Sequence, residues 1–166
     1  MLKENKTPHI LSISISRGGI PKLSIQSVKV TTSGLEGDGH NHAKHYDLRQ
    51  AVCLQDVEHL AELSQKGYRL FPGATGENLT IRNLNVNGLP LGTILQFSGG
   101  VVLAISKIRK PCYVMDAIHP QLKIDALGRH GMYAKVIKEG ILNVGETISI
   151  IEILRPQEEF ECPIIS

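Results

Sequence analysis

Tryptophan is absent from this 166-residue chain, and aromatic residues make up only 4% of it. Generic single-strand binders stack several bases on aromatic rings, so that class is disfavoured. Charge of one sign is also missing. Eighteen Lys and Arg stand against sixteen Asp and Glu, a net charge of +2, which is too weak a footprint for nucleic acid. A pocket for one small anion remains compatible with that balance. No apolar run approaches the ~18 residues of a membrane-spanning helix, and none follows Met1-Leu2-Lys3-Glu4-Asn5-Lys6 as a leader would require. Neither a nucleic acid nor a membrane partner is expected. Cysteine is sparse: Cys53, Cys112 and Cys162 show no disulfide-like spacing, which points to a reducing compartment and a cytoplasmic location.

With so few rings, the core must come from Ile, Leu and Val, a composition suited to strands. Ile13 and Ile15 alternate with Ser12, Ser14 and Ser16, the pattern of a half-buried strand. Further strands are expected at 25–30, 50–54, 79–81, 93–97, 101–106, 132–137 and 147–153, with Asn87-Gly88 and Gly99-Gly100 as turns. One helix should start at Asp56 as N-cap and stop at Gly67, and a short one should cover 113–118. Many short strands and few helices predict a mainly β fold, a closed β-barrel with short helical insertions. A sandwich is the rival, because strand count does not decide closure. The domain is expected over residues 9–153, with 154–166 as a C-terminal tail.

Four strings carry candidate chemistry. In Arg109-Lys110-Pro111-Cys112, two cations beside a thiol at a strand end favour thiolate, the form that attacks electrophiles and binds soft metals. The bland alternative is a small buried hydrophobe, which is the expectation for Cys53; Cys162 is expected to be incidental. In the segment from Gly37 and Asp38 to Arg49 and Gln50, glycines and the cations Lys44, His45 and Arg49 suit an anion pocket. His40, His42 and His45 match no strong zinc spacing, so this loop is expected to be a pocket wall. Thr75, Gly76, Glu77 and Asn78 offer hydrogen-bonding groups for a phosphate or a polar heterocycle, yet lack the Gly-Lys-Ser/Thr ending of a P-loop. Arg129 and His130 stand between two glycines and could contact an anion. Taken singly, the last two strings read more readily as a turn and an exposed strand start.

As an ordered set these strings resemble the MOSC family, the domain at the C-terminus of molybdenum cofactor sulfurases. The resemblance runs through Gly-Gly-Ile-Pro-Lys (18–22), Gly-Leu-Glu-Gly-Asp (34–38), His45 followed by Gln50-Ala51-Val52, Gly-Glu-Asn-Leu-Thr (76–80), Arg109 to Cys112, Gly-Met-Tyr-Ala (131–134) and Gly-Glu-Thr-Ile (145–148). It is closest in look to the small stand-alone bacterial members. The resemblance implies a barrel of the pyruvate-kinase-insert type and a molybdenum cofactor, a pyranopterin carrying molybdenum and a phosphate. It implies that Cys112 is the reactive residue, as a thiolate ligand to the metal. Gly37, Asp38, His45, Arg49, Gln50, Thr75, Gly76, Glu77, Asn78, Arg109, Lys110, Arg129 and His130 are the expected cofactor-binding residues. His45 is followed by Tyr46-Asp47 where relatives often carry Gly-Gly.

The function expected on this basis is reduction of an N-hydroxylated small molecule, with electrons from a separate donor protein, because three cysteines do not make up the usual four-cysteine ligand set of an iron–sulfur cluster. The alternatives are a sulfur-carrier or cofactor-delivery module working through a Cys112 persulfide, and a small binding barrel without cofactor. Pyridoxal phosphate is not expected, since no lysine stands in a context that argues for it.

Overall fold

The computed structural model describes residues 6–39, 47–111 and 113–153. Its strands are β1 (His9–Ile15), β2 (Leu23–Ile25), β3 (Ser27–Thr31), β4 (Gly34–Leu35), β5 (Val52–Asp56), β6 (Leu79–Arg82), β7 (Thr93–Phe97), β8 (Val102–Ile108), β9 (Met132–Lys138), β10 (Gly140–Asn143) and β11 (Ile148–Ile153). The helices are α1 (Val57–Gln65) and α2 (Leu122–Asp125), with short 3-10 turns at Leu48–Gln50, Val86–Gly88 and Tyr113–Ala117. The expected strand at 25–30 is broken at Gln26 into two, which join different sheets.

The expected closed barrel is not what forms. Eight strands make one open sheet in the order β11-β7-β8-β9-β5-β6-β1-β2, and three make a second in the order β10-β3-β4. The strands at the two ends of the large sheet are β11 and β2. Closure fails because β1 divides its pairing: His9–Ile13 runs along β6, whereas Ile13–Ile15 takes the three-residue β2. What is left of β1 facing β11 makes a single bridge, His9 to Thr147, instead of a ladder.

β5 and β6 are parallel, with Leu54 opposite Leu79 and Asp56 opposite Ile81, and α1 is the crossover between them. The strand expected at 50–54 forms as β5, two residues later, and its five consecutive buried residues show that both of its faces are covered, as parallel strands require. β5 also pairs antiparallel with β9, placing Cys53 opposite Tyr133. The main core joins Ile10, Ile13, Leu54, Leu79, Ile81, Leu95, Phe97, Leu103 and Ile105, all essentially inaccessible to solvent. A satellite cluster of Leu63, Met115, Leu122 and Ala126 packs α1 against α2 and the turn at Tyr113–Ala117. That cluster holds the segment following residue 112 against the body of the domain.

Candidate functional site

Three loops meet above the start of the β5–β6 pair. Asp38, in the loop after β4, turns its carboxylate inward. It accepts the Ser16 amide at 3.0 Å, the Lys22 ammonium at 3.0 and 2.8 Å, and the Asn78 side-chain amide at 2.9 Å. Its side chain is only 2% exposed, so this ion pair is shielded from water and much less screened than a surface pair. Asn78 extends the network, with its Oδ1 accepting the Cys53 amide at 3.0 Å and its Nδ2 donating to the Ser14 carbonyl at 3.2 Å. One asparagine thus ties β1, β5 and the Asp38 loop together.

The Gly-rich loop before β6 is organised by Glu77, whose side chain is fully buried. Its carboxylate accepts the Gly73 amide at 2.6 Å and the hydroxyls of Thr75 and Thr80. Gly73 is required where the loop meets the 18–22 segment. Its φ is +90°, and an added Cβ would stand 2.3 Å from the Lys22 carbonyl oxygen. Gly76 also has φ +90°, with its Cα facing Ile20 and the Arg109 guanidinium.

Arg109, one residue past β8, is 6% exposed. It donates to the Thr75 carbonyl and, over 3.4 and 3.5 Å, to the Thr75 hydroxyl and the His130 carbonyl. Burial works against its charge, but its surroundings, among them the Glu77 carboxylate and a hydrogen bond to Tyr133, outweigh that and hold its pKa above the ordinary arginine value. Its Nε–H is buried without a partner. Around this guanidinium lies a polar cavity of about 160 Å³, lined by Lys22, Asp38, Gln50, Cys53, Gly76, Asn78, Arg109 and Tyr133. Burial pushes the Cys53 thiol up, against the pull of Arg109, so this cysteine stays a neutral thiol.

Of the residues singled out in the sequence, Asp38, Gln50, Gly76, Asn78 and Arg109 line that cavity, and Thr75 and Glu77 hold Arg109 and the loop from behind. Others are turned elsewhere. Arg49 forms a two-pronged pair with Asp47, at 3.1 and 3.0 Å. Arg129 pairs with Glu62 at 3.0 Å. His130 sends its ring to the Lys123 carbonyl, which makes Nε2 the protonated nitrogen and leaves Nδ1 buried without a partner. Burial lowers the His130 pKa, with the Arg109 charge adding to the effect. Gly37 makes a positive-φ turn beside Ile15, and Lys110 is exposed. The candidate nucleophile Cys112 and the histidines His40, His42 and His45 lie outside the described residues.

Sequence reasoning missed Lys22, Cys53 and Tyr133 as cavity residues. Lys22 and Tyr133 stood inside strings already singled out, at 18–22 and 131–134. The missing signal was the register of β5 on β9, which sets Tyr133 across from Cys53.

The model of the MOSC domain matches residues 41–149. A protein named reductase from Gibberella moniliformis is 28% identical over 130 residues, 74% of this chain and 23% of that protein. YflK from Bacillus subtilis is 27% identical over 143 residues, 82% of this chain and 64% of YflK. The chain therefore spans less than two thirds of either relative. Among solved structures, YuaD from Bacillus subtilis superposes with a TM-score of 0.74 at 19% identity, covering 86% of this chain and 94% of its own. YiiM from Geobacillus stearothermophilus gives 0.73 at 26% identity, covering 87% and 75%. With the family model spanning well over half of its length and these stand-alone proteins sharing its fold, the chain belongs to the MOSC domain family, which is associated with the molybdenum cofactor.

Proposed function

We propose that this protein is an oxidoreductase that binds the molybdenum cofactor and reduces N-hydroxylated bases or related compounds, with Cys112 as thiolate ligand. The observation that carries this reading is the convergence of Asp38, Gln50, Gly76, Asn78 and Arg109, from separate segments, on one polar cavity. Cys112 follows Arg109 by three residues in the chain. The name of the fungal relative supports a reductive reaction.

The residues present fit one end of the cofactor. A cavity of about 160 Å³ is too small for a whole pyranopterin, since small-molecule sites start near ~300 Å³. Lys22 and Arg109 are offset by Asp38 and Glu77, so the wall is rich in hydrogen-bonding groups and nearly neutral. That suits the edge of a heterocycle, which Gln50, Gly76, Asn78, Arg109 and Tyr133 would hold, with the orphaned Arg109 Nε–H as an available donor. The phosphate needs a cation not already neutralised, and exposed Lys110 is suited to it.

When bound, the cofactor supplies two-electron removal of oxygen from the substrate. The chain's own residues position it. Cys112 offers a soft sulfur donor, favoured as thiolate by the cations at 109 and 110. Glu77 and Thr75 fix the Arg109 guanidinium in one orientation, so no reorganisation is needed when the heterocycle docks. Electrons would arrive from a separate donor protein.

Protein made in a host that synthesises the cofactor should carry stoichiometric molybdenum and pterin. Cys112→Ser should lose the metal with unchanged circular dichroism, because serine does not ionise near neutral pH and oxygen is a poorer soft ligand. Retention of molybdenum and activity in that variant would refute the role of Cys112. Labile sulfur on Cys112 without metal would identify a sulfur carrier instead.

A further inference from the structure

The opposite end of the β5–β6 pair carries a second cleft, of about 330 Å³, lined by Asp56, Glu58, His59, Glu62, Asn83 and Asn85. Among the described residues, no Lys or Arg lines it. Asp56 is the last residue of β5 and the N-cap position of α1, yet its side chain makes no capping hydrogen bond. Instead Oδ2 accepts the Val86 amide at 2.8 Å. The side chain is 1% exposed, and Oδ1 is buried with no hydrogen-bond partner. His59 Nδ1 is also buried without one. It stands 3.7 Å from Asp56 Oδ2, near enough for attraction but too far for a hydrogen bond.

A buried carboxylate oxygen without a donor is expensive, and native structures rarely keep one unless something else satisfies it. Burial pushes the Asp56 pKa up to about 6 against the pull of the Val86 and Asn85 amides, so at neutral pH the group is still mostly ionised while Oδ1 has no hydrogen bond. The rim adds negative charge. Glu58 and Glu62 are exposed, each with one oxygen engaged: Glu58 by the Asn83 amide at 2.8 Å, and Glu62 by Arg129 at 3.0 Å. The cleft also lies just past the C-terminal ends of two parallel strands joined by a helix, where α/β sheets commonly seat ligands.

A divalent metal is a poor match. Among the described residues, no three His, Cys, Asp or Glu side chains converge as a ligand set, and the space is larger than a bare ion needs. Three carboxylates are in its described lining, the Asn83 and Asn85 amides are its neutral donors, and the nearby Arg129 charge is engaged by Glu62. We propose that it binds a small organic cation, an alkylammonium or guanidinium group, with Asp56 and His59 at its floor and Glu58 and Glu62 at its rim. With a small turn of its side chain, the unpartnered Asp56 Oδ1 at the floor then accepts the ligand's N–H, and the carboxylates match its charge. This site is separate from the polar cavity and does not depend on cofactor binding.

Butylguanidinium and its uncharged analogue butylurea test this directly on the full chain by amide NMR titration at pH 7.5. Butylguanidinium should move the Val86 and Asn85 amides saturably, while butylurea should leave them in place. Asp56→Asn should weaken the affinity by about tenfold or more, as loss of a buried charged hydrogen bond implies. Glu58→Gln, exposed and able to keep the Asn83 bond, should weaken it less and serves as a second variant if Asp56→Asn disturbs folding. The proposal is overturned by equal affinity for the two compounds, by unchanged affinity in both variants, or by no saturable shift up to millimolar butylguanidinium. Saturable movement of the same amides by magnesium, calcium or zinc, in place of the organic cation, would overturn it as well.

Discussion

At the Cys53–Asn78 end of the β5–β6 pair, the buried carboxylates already have their donors. Asp38 is met by an ammonium, a backbone amide and a side-chain amide, and Glu77 by an amide and two hydroxyls. At the Asp56–Asn83 end, a carboxylate equally hidden from water has the Val86 amide, a weaker pull from the Asn85 amide, and an oxygen without a hydrogen bond. Burial alone therefore does not set the role of an acidic side chain. Where donors are built in, the charge is consumed in fixing loops, and the cavity beside it is nearly neutral. Where a donor is missing, the destabilisation is stored and can be relieved by a ligand.

The largest effect expected from this contrast is at Glu77. Glu77→Ala removes the acceptor for Gly73 and two hydroxyls and leaves Arg109 buried without its nearest carboxylate charge. Leaving a buried charge uncompensated typically costs about 3–5 kcal/mol. Chemical denaturation should show a loss of that order, and the loop at 71–76 should become protease-sensitive. A loss below about 1 kcal/mol would mean that the closed end is not held by its carboxylates. Lys22→Met is the next largest. It strands Asp38 at 2% exposure, although the Ser16 and Asn78 donors remain, so about 2–3 kcal/mol is expected. The double variant Lys22→Met with Asp38→Asn should recover part of that loss, because no unpaired charge is left behind.

The sequence made some of this arrangement legible and hid the rest for specific reasons. Alternation in β1 and the turns flanking β7 and β8 are local signals, and those strands form where the pattern puts them. Closure is not local. It depends on which edge of β1 meets which partner, and the three residues of β2 take the edge a barrel would need. In the site, Asp38, Gly76, Asn78 and Arg109 stood out because glycines and polar groups crowd around them in the chain. Arg49 and Arg129 were expected in the same pocket because they are cations. The partner of Arg49 is Asp47, two residues away and readable in principle, whereas the partner of Arg129 is Glu62, brought in only by the fold. Asp56 was recognised as a helix start, but that its carboxylate would go to Val86 could not be read from the string.

Asp56 itself should give a gain. Its pKa in the folded protein, about 6, lies above the ordinary value of 3.8, so the folded state holds that proton more tightly than the unfolded chain does. Its contribution to stability is therefore favourable below about pH 4 and is lost as pH rises through about 6, amounting to roughly 3 kcal/mol at neutral pH. Asp56→Asn keeps an acceptor for Val86 but cannot ionise. Its stability relative to wild type should be near zero at pH 4 and should grow to about 2–3 kcal/mol in favour of the variant at pH 7. Urea denaturation of both proteins across that range measures the difference. A flat difference would show that the unpartnered oxygen is satisfied in solution, and the contrast between the two ends would disappear.

The smallest stability effect is expected at Arg129. Its guanidinium is 36% exposed and reaches Glu62, itself 52% exposed. Exposed pairs of this kind contribute between zero and about 1 kcal/mol, so Arg129→Ala should leave the unfolding midpoint nearly unchanged. Cofactor content should also be unchanged, because Arg129 does not line the polar cavity. The informative readout lies at the acidic end. Removing Arg129 frees the Glu62 carboxylate and adds net negative charge at the rim of the cleft, so butylguanidinium should bind more tightly. The gain should shrink at high salt, since the charge removed is solvent-exposed and screened over about 10 Å at 0.1 M ionic strength. Weaker binding in Arg129→Ala would mean that Arg129 organises the rim rather than competing with the ligand. An unchanged affinity would confine the site to its floor at Asp56 and His59.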